Sequence, residues 1–309
     1  MSKLIAIPTK NLTHDQWLNL RYDGLGGSDV AAAMGLSKFK TPTELYLEKV
    51  ERHDTFEGNA ATEWGVRLED VVARAYAEKT GERIRNRYAI LKNPDMPWLF
   101  ANVDRLVVGK KKGLEVKTAS LYTLNEWGED GTDEVPDYYK TQAYDYMLVT
   151  GLRVWDFAVL IGGSDFRTYT VELDQRIADR IVEETRGFWY DHVLKQTPPP
   201  PVNLDDVRRI YRKDAGSEVE ADDYVAHDYG RLLDIKAQIK DLADQENQIK
   251  TALGAFMGDH AVLKVGDKKL ATFKNQQSTR VDSKLLKSDF PDVYEAVVKT
   301  TDSRVLRTY

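Results

Sequence analysis

Asp104 and, across a short turn, Glu115-Val116-Lys117 are the residues of this sequence best placed to do chemistry. On a strand, residues two apart share a face, so Glu115 and Lys117 point one way while Leu114 and Val116 point into a core. A hairpin turning at Gly109-Lys-Lys-Lys-Gly113 brings Asp104 beside them. Two carboxylates and the carbonyl of Val116 are hard oxygen donors of the kind that suit Mg²⁺, which keeps several of its waters. A metal there lowers the pKa of a bound water and offsets charge developing on a phosphate, and Lys117 can orient the nucleophile or stabilise the same charge. The pattern therefore fits phosphodiester hydrolysis. It is also what a solvated hairpin face looks like in a chain with 30% charged residues.

Two neighbours extend the set. Glu69 follows Trp64-Gly65 on a preceding helix, and Gln142 lies four residues before Tyr146, on the same face of a later one. Taken singly, Glu69 reads as a helix surface residue and Gln142 as a solvated amide. The elements that must position these groups follow from periodicity and punctuation. Asp15–Leu20 reads as a short helix, followed by the turn Gly24-Leu-Gly-Gly27 and a helix that Ser28 could cap and Gly35 stops. Thr41 and Glu44 have capping-box spacing around Pro42. Glu63–Lys79 is a longer helix ended by Gly81. Strands are expected at Tyr88–Leu91, Trp98–Val108, Leu114–Thr118, Trp155–Ile161 and Phe166–Val171, with helices at Asp137–Val149 and Leu173–Lys195. The fold class is α/β (α+β), a mixed central sheet flanked by helices.

Composition narrows the chemistry. The 309 residues amount to one or two domains, and 42% hydrophobic content is too high for disorder. There is no cysteine, so disulfides, zinc ribbons and thiol nucleophiles are excluded and carboxylate and His chemistry remain, while the five His are scattered, which argues against a His-rich metal site. A net charge of −6 argues against coating nucleic acid through bulk charge, so any DNA contact has to be local. Arg83, Arg85 and Arg87 would share one side of a strand, and Lys110-Lys-Lys112 crowns the hairpin; either could meet a duplex backbone or stay solvated. No run approaches the roughly 18 apolar residues of a membrane span, so a cytoplasmic protein with no membrane partner is expected.

The ordered set Arg21…Gly26-Gly27-Ser28-Asp29, Gly65-x-x-x-Glu69, Asp104…Glu115-Val116-Lys117 and Gln142-x-x-x-Tyr146 resembles the YqaJ-like viral recombinase family, relatives of lambda exonuclease within the PD-(D/E)xK nucleases. The resemblance covers roughly residues 12–195. It implies a PD-(D/E)xK nuclease core and a Mg²⁺-dependent exonuclease, with Mn²⁺ as a possible substitute. Asp104, Glu115 and the Val116 carbonyl match the metal ligands, Glu69 a further acid at the metal, Lys117 the active-site lysine, and Gln142 the glutamine that places the scissile phosphate or water, with Tyr146 as its companion. Arg21 and Ser28 match a pocket for a DNA 5′-phosphate, where an Arg fork, a hydroxyl and a helix N-terminus converge. Without that context they read as a surface ion pair and a plain N-cap. Val103 stands where the superfamily name has proline. Asn102 and Tyr146 are grouped with the phosphate and DNA contacts, Asn102 standing where relatives can carry a hydroxyl. The resemblance further implies phage or prophage origin in a bacterial host, double-stranded DNA ends as substrate, a single-strand annealing protein as partner, and a homo-oligomer, by analogy a trimer.

Pro198–Pro201 marks the expected domain break, giving a nuclease domain of 1–200 and an accessory or interaction module of 201–309. In the second, Leu232, Ile235, Ile239, Leu242, Ile249, Leu253 and Phe256 recur in steps of three and four, with Glu246 filling one slot. That helix needs a partner, either its own domain, the preferred reading, or an intermolecular coiled coil. A hairpin around Gly266-Asp267 and a short helix from Ser283 follow. A structure- or sequence-directed endonuclease on the same core and a nonenzymatic recombination adaptor are the competing functions. A nucleotide-binding enzyme is disfavoured, because Gly24-x-Gly-Gly lacks the Walker lysine.

Overall fold

The computed structural model describes residues 3–53 and 58–308. The chain forms two units, 1–211 and 212–309.

The first unit begins with strand β1 (Ile5–Pro8) and helices α1 (His14–Arg21), α2 (Gly27–Ala33), α3 (Pro42–Glu51) and α4 (Ala60–Thr80). Thr41 and Glu44 close α3 with a reciprocal capping box, and Gly81, at φ 71°, terminates α4. Strands β2 (Ile84–Asn86), β3 (Ala89–Asn93), β4 (Met96–Ala101), β5 (Arg105–Val107) and β6 (Lys112–Ala119) follow, then α5 (Asp137–Thr150), β7 (Val154–Ile161), β8 (Asp165–Glu172) and α6 (Gln175–Gly187). The central sheet has the order β2-β5-β6-β7-β8, and β1-β3-β4 form a smaller antiparallel sheet. β6 and β7 are parallel while the other central pairings are antiparallel, so the sheet is mixed. A parallel pair requires a long crossover, here the segment that contains α5.

The two-residue period of β6 divides its side chains. Leu114 and Val116 pack with Ala158 of β7 against Val72, Ala73 and Tyr76 of α4. Glu115 and Lys117 are left on the opposite face, toward α5. The glycine turn before α2 is tied to the same framework: Leu25 N donates to the Trp98 carbonyl at 2.7 Å and Phe100 N to the Leu25 carbonyl at 3.0 Å. This pairing sets the start of α2 beside β4.

Three local expectations change. The run Trp98–Val108 is two strands in different sheets, because the Asp104 carboxylate accepts the Val116 N–H at 3.0 Å and so replaces a ladder bond with a side chain. Ser28 is not the cap of α2; Gly26 is, and Asp29 at the third helical position accepts its N–H at 3.1 Å. The helix from Leu173 starts at Gln175 on an Asp174 cap and ends in a π-helical turn, Phe188–Val193. The proline run lies inside the first unit: α7 (Leu204–Ile210) follows it and docks on α3, with Thr41 Oγ1 donating to Asp206 Oδ1 at 2.8 Å and Arg209 pairing with Glu44 at 2.8 Å.

One buried group of α5 opposes folding. Asp145 is fully buried, and among the described residues neither of its oxygens has a hydrogen-bond partner. Burial, and then the charge of Asp29, push its carboxyl well above the usual range. A raised carboxyl keeps a proton that the unfolded chain releases above pH 3.8, so this group lowers stability as pH rises. Asp145→Asn is therefore expected to melt at a higher temperature than the parent at pH 7, with the difference vanishing below about pH 3.8. Thermal melts at the two pH values check this, and equal melting temperatures at pH 7 would refute it.

The second unit consists of α8 (Asp223–Met257), the hairpin β9 (Val262–Val265) and β10 (Lys268–Thr272), and helices α9 (Ser283–Asp289) and α10 (Pro291–Val297). The apolar stripe of α8 does not fold against its own domain: Ile239 and Leu242 are 60% and 63% exposed, and Met257 alone of the helix is buried. The hairpin strands pair with each other, and α9 packs on α10.

Candidate active site

Asp104, Glu115, Lys117 and Gln142 converge where β5 leaves the strand break and β6 passes under α5. Glu115 is the hub. Its Oε1 accepts Lys117 Nζ at 2.6 Å and Gln142 Nε2 at 2.7 Å, and the same Nε2 donates to the Tyr146 hydroxyl at 2.6 Å. Its Oε2 is buried and has no hydrogen-bond partner among the described residues. Asp104 is raised to about 7 by burial and by the charge of Glu115, which outweigh Lys117, the Val116 N–H and Arg105. Burial would lower Lys117, but Glu115 and Asp104 raise it. The pocket thus holds more negative charge than its own cations balance.

That donor set fits a hard divalent cation. Asp104, the orphaned Oε2 of Glu115 and the Val116 carbonyl are oxygen donors, and two protein carboxylates are what Mg²⁺ takes while keeping waters. Among the described residues, no three His, Asp or Glu side chains form a ready-made cage. Glu69 is near Asp104, whose charge raises its carboxyl together with burial, but its oxygen is taken by Arg105 Nη1 at 2.6 Å. In this arrangement one oxygen of Glu69 holds Arg105.

Arg21 and Ser28 are also brought together. Arg21 Nη2 donates to Ser28 Oγ at 3.3 Å and lies 3.6 Å from Asp29, and its guanidinium sits 4.7 Å over the Trp17 ring. Buried Lys49 donates to Asp29 at 2.7 Å and to the Arg21 carbonyl at 3.0 Å. Burial pushes Asp29 up, but Lys49 and then Arg21 outweigh it and hold it at about 2. An open cleft of about 660 Å³ runs from Asp104 and Glu69 to α1, lined as well by Asn102, Arg87, Trp17 and His14. Asn102 is exposed at its wall.

Other sequence candidates are engaged by protein partners. Tyr146 is buried and spends its hydroxyl on Gln142, so it positions that amide and cannot reach out to DNA. Lys110 pairs with Glu82 at 2.6 Å, and Lys112 with Glu82 and Asp156, which neutralises most of the basic turn. Sequence reasoning missed Lys49, Arg105 and Trp17. Trp17 alone left a signal, lying one helical turn before Arg21.

Comparison with known proteins agrees with the motif order. Residues 16–153 match the family described as YqaJ-like viral recombinase domain. The Bacillus subtilis (strain 168) protein YqaJ is 37% identical over 314 residues, covering 98% of this chain and 97% of its own. Among solved structures, the alkaline exonuclease LHK-Exo from Laribacter hongkongensis aligns with a TM-score of 0.49 at 20% identity, over 64% of this chain and 98% of its own. A phage-related exonuclease from Haemophilus somnus 129PT aligns at 0.46 and 16% identity, over 58% and 99%. No helix of the described residues is long and apolar enough to cross a membrane.

Proposed function

This chain belongs to the YqaJ-like viral recombinase family, and we propose that it is a Mg²⁺-dependent exonuclease that digests one strand of linear double-stranded DNA from a 5′ end, leaving a 3′ overhang for a phage single-strand annealing protein. The observation that carries this reading is the shared Glu115 oxygen: one carboxylate, opposite Asp104, is fixed by both Lys117 and Gln142 and keeps its second oxygen free of protein partners.

The geometry supports a role for each residue. Asp104, Glu115 and the Val116 carbonyl would hold the ion, which supplies an activated water and neutralises charge on the phosphate. Lys117 stays protonated between two carboxylates, so it serves as a fixed positive charge toward the phosphate and not as a base. Both donor contacts of Gln142 run through Nε2, which orients the amide and leaves its oxygen to align a water. Arg21 and Ser28 would grip the terminal 5′-phosphate, and the cleft past Trp17 and Arg87 gives the digested strand a path.

The test is the product pattern from end-labelled linear duplex with and without Mg²⁺, beside covalently closed circles. Labelled 5′-mononucleotides from linear DNA only, and only with the ion, are expected. Cut circles would replace the exonuclease with an endonuclease, and no hydrolysis at all would leave an adaptor. Arg21→Ala tests the polarity argument separately. The parent should prefer a 5′-phosphoryl end over a 5′-hydroxyl end by about tenfold or more in kcat/KM, the worth of a hydrogen bond to a charged group, and the variant should treat both ends alike. A preference that survives the substitution would move the end-binding site elsewhere.

A further inference from the structure

The first turn of α2 touches the end-binding pair and the catalytic cluster at once, through a residue that has no side chain. Gly27 lies so close to α5 that a Cβ there would stand 2.7 Å from Tyr146 Cε1 and 2.8 Å from Gln142 Cγ. Neither side chain has room to withdraw. Both are buried, they are joined to each other at 2.6 Å, Gln142 is tied to Glu115 at 2.7 Å, and the Tyr146 ring lies 5.1 Å from that of Trp155. The next residue, Ser28, accepts the Arg21 guanidinium. The turn is held from below by Asp29, which accepts both the Gly26 N–H and Lys49 Nζ.

We propose that Gly27 is a positioning residue that couples capture of a DNA 5′-phosphate at Arg21 and Ser28 to the alignment of Gln142 on Glu115, so that the phosphate raises turnover as well as affinity. The inference rests on the exonuclease reading above. Its physical basis is close packing: where a backbone sits directly on a hydrogen-bonded amide, a small movement of the turn cannot be absorbed and is passed on. Misplacing a catalytic group by about 1 Å costs on the order of a hundredfold in rate.

The experiment compares the parent chain with Gly27→Ala and with Gly26→Ala, whose Cβ would meet the Phe100 ring at 3.0 Å and not α5. Binding of a 5′-phosphorylated duplex is measured without metal, and turnover is measured with Mg²⁺ on 5′-phosphoryl and 5′-hydroxyl ends. Gly27→Ala should bind within about threefold of the parent, lose on the order of a hundredfold in kcat, and no longer respond in kcat to the 5′-phosphate, while Gly26→Ala stays within about tenfold in kcat. Retained turnover and phosphate response in Gly27→Ala would overturn the coupling, and so would an equal loss in Gly26→Ala. Hydrogen exchange on the parent decides the matter even if Gly27→Ala does not fold. The α5 amides around Gln142 should exchange more slowly with metal-free 5′-phosphoryl duplex than with the 5′-hydroxyl form, and equal exchange refutes the proposal. A parent inactive on duplex ends would instead refute the exonuclease reading, and the exchange comparison would still test the coupling.

Discussion

Glu115→Gln and Asp104→Asn are each expected to lower hydrolysis of linear duplex DNA by on the order of 10³-fold or more, in proteins that still fold. The choice of amides isolates the chemistry. Asn at 104 keeps an oxygen that can accept the Val116 N–H, so the break between β4 and β5 survives. Gln at 115 keeps an oxygen for Lys117 and Gln142. Both variants remove the negative charge that draws a divalent cation, and Glu115→Gln also turns the orphaned Oε2 position into one that can be a donor. The parent should therefore bind Mg²⁺ or Mn²⁺ by titration calorimetry and both variants should not, with melting temperatures no lower than that of the parent when no metal is present, and higher for Asp104→Asn at pH 7, because burial and Glu115 raise the Asp104 carboxyl to about 7. If either variant keeps activity within about tenfold of the parent, that carboxylate is not a ligand and the site assignment fails.

Why Asp104, Glu115 and Lys117 were legible in the sequence, and other residues were not, has a physical explanation. Their convergence depends on two local rules, the two-residue period of a strand and the reversal at Gly109 to Gly113, and local rules can be read without a fold. The long helix with Glu69 and the capping box at Thr41 are local for the same reason. The strand break at Asn102 to Asp104 was hidden, because an uninterrupted β pattern does not show that a side chain has taken the place of a backbone partner. Tyr146 was read as a DNA contact because a helix sequence gives its face but not what covers it; α2, through Gly27, covers it. The stripe of α8 shows the converse limit. Its spacing announces an apolar face but not its partner, and in this chain the face stays exposed.

Lys49→Met is expected to destabilise the first unit by about 3–5 kcal/mol, the cost of leaving buried carboxylates without their cation. In sequence Lys49 is one more lysine on an amphipathic helix, but its side chain is 0% exposed and its ammonium bridges Asp29, Glu48 and the Arg21 carbonyl. For a unit of this size that cost is a fall in melting temperature of about 10 °C. The pH dependence separates a charge effect from a packing effect. Asp29 is held at about 2, below the ordinary value of 3.8, so in the parent its contribution is fully present above pH 3.8 and is lost as pH falls through about 2. Without Lys49, burial becomes the dominant influence and the Asp29 carboxyl takes up a proton at higher pH. Acidification from pH 7 toward about 4 should then relieve the variant while leaving the parent unchanged at this site, so the gap in melting temperature narrows. A gap that is constant over that range would mean the loss comes from packing alone. Asp29→Asn combined with Lys49→Met should recover part of the stability at pH 7, since the unpaired charge is gone, but not the preference for a 5′-phosphoryl end, because Arg21 has lost both Asp29 and the lysine that fixes its backbone.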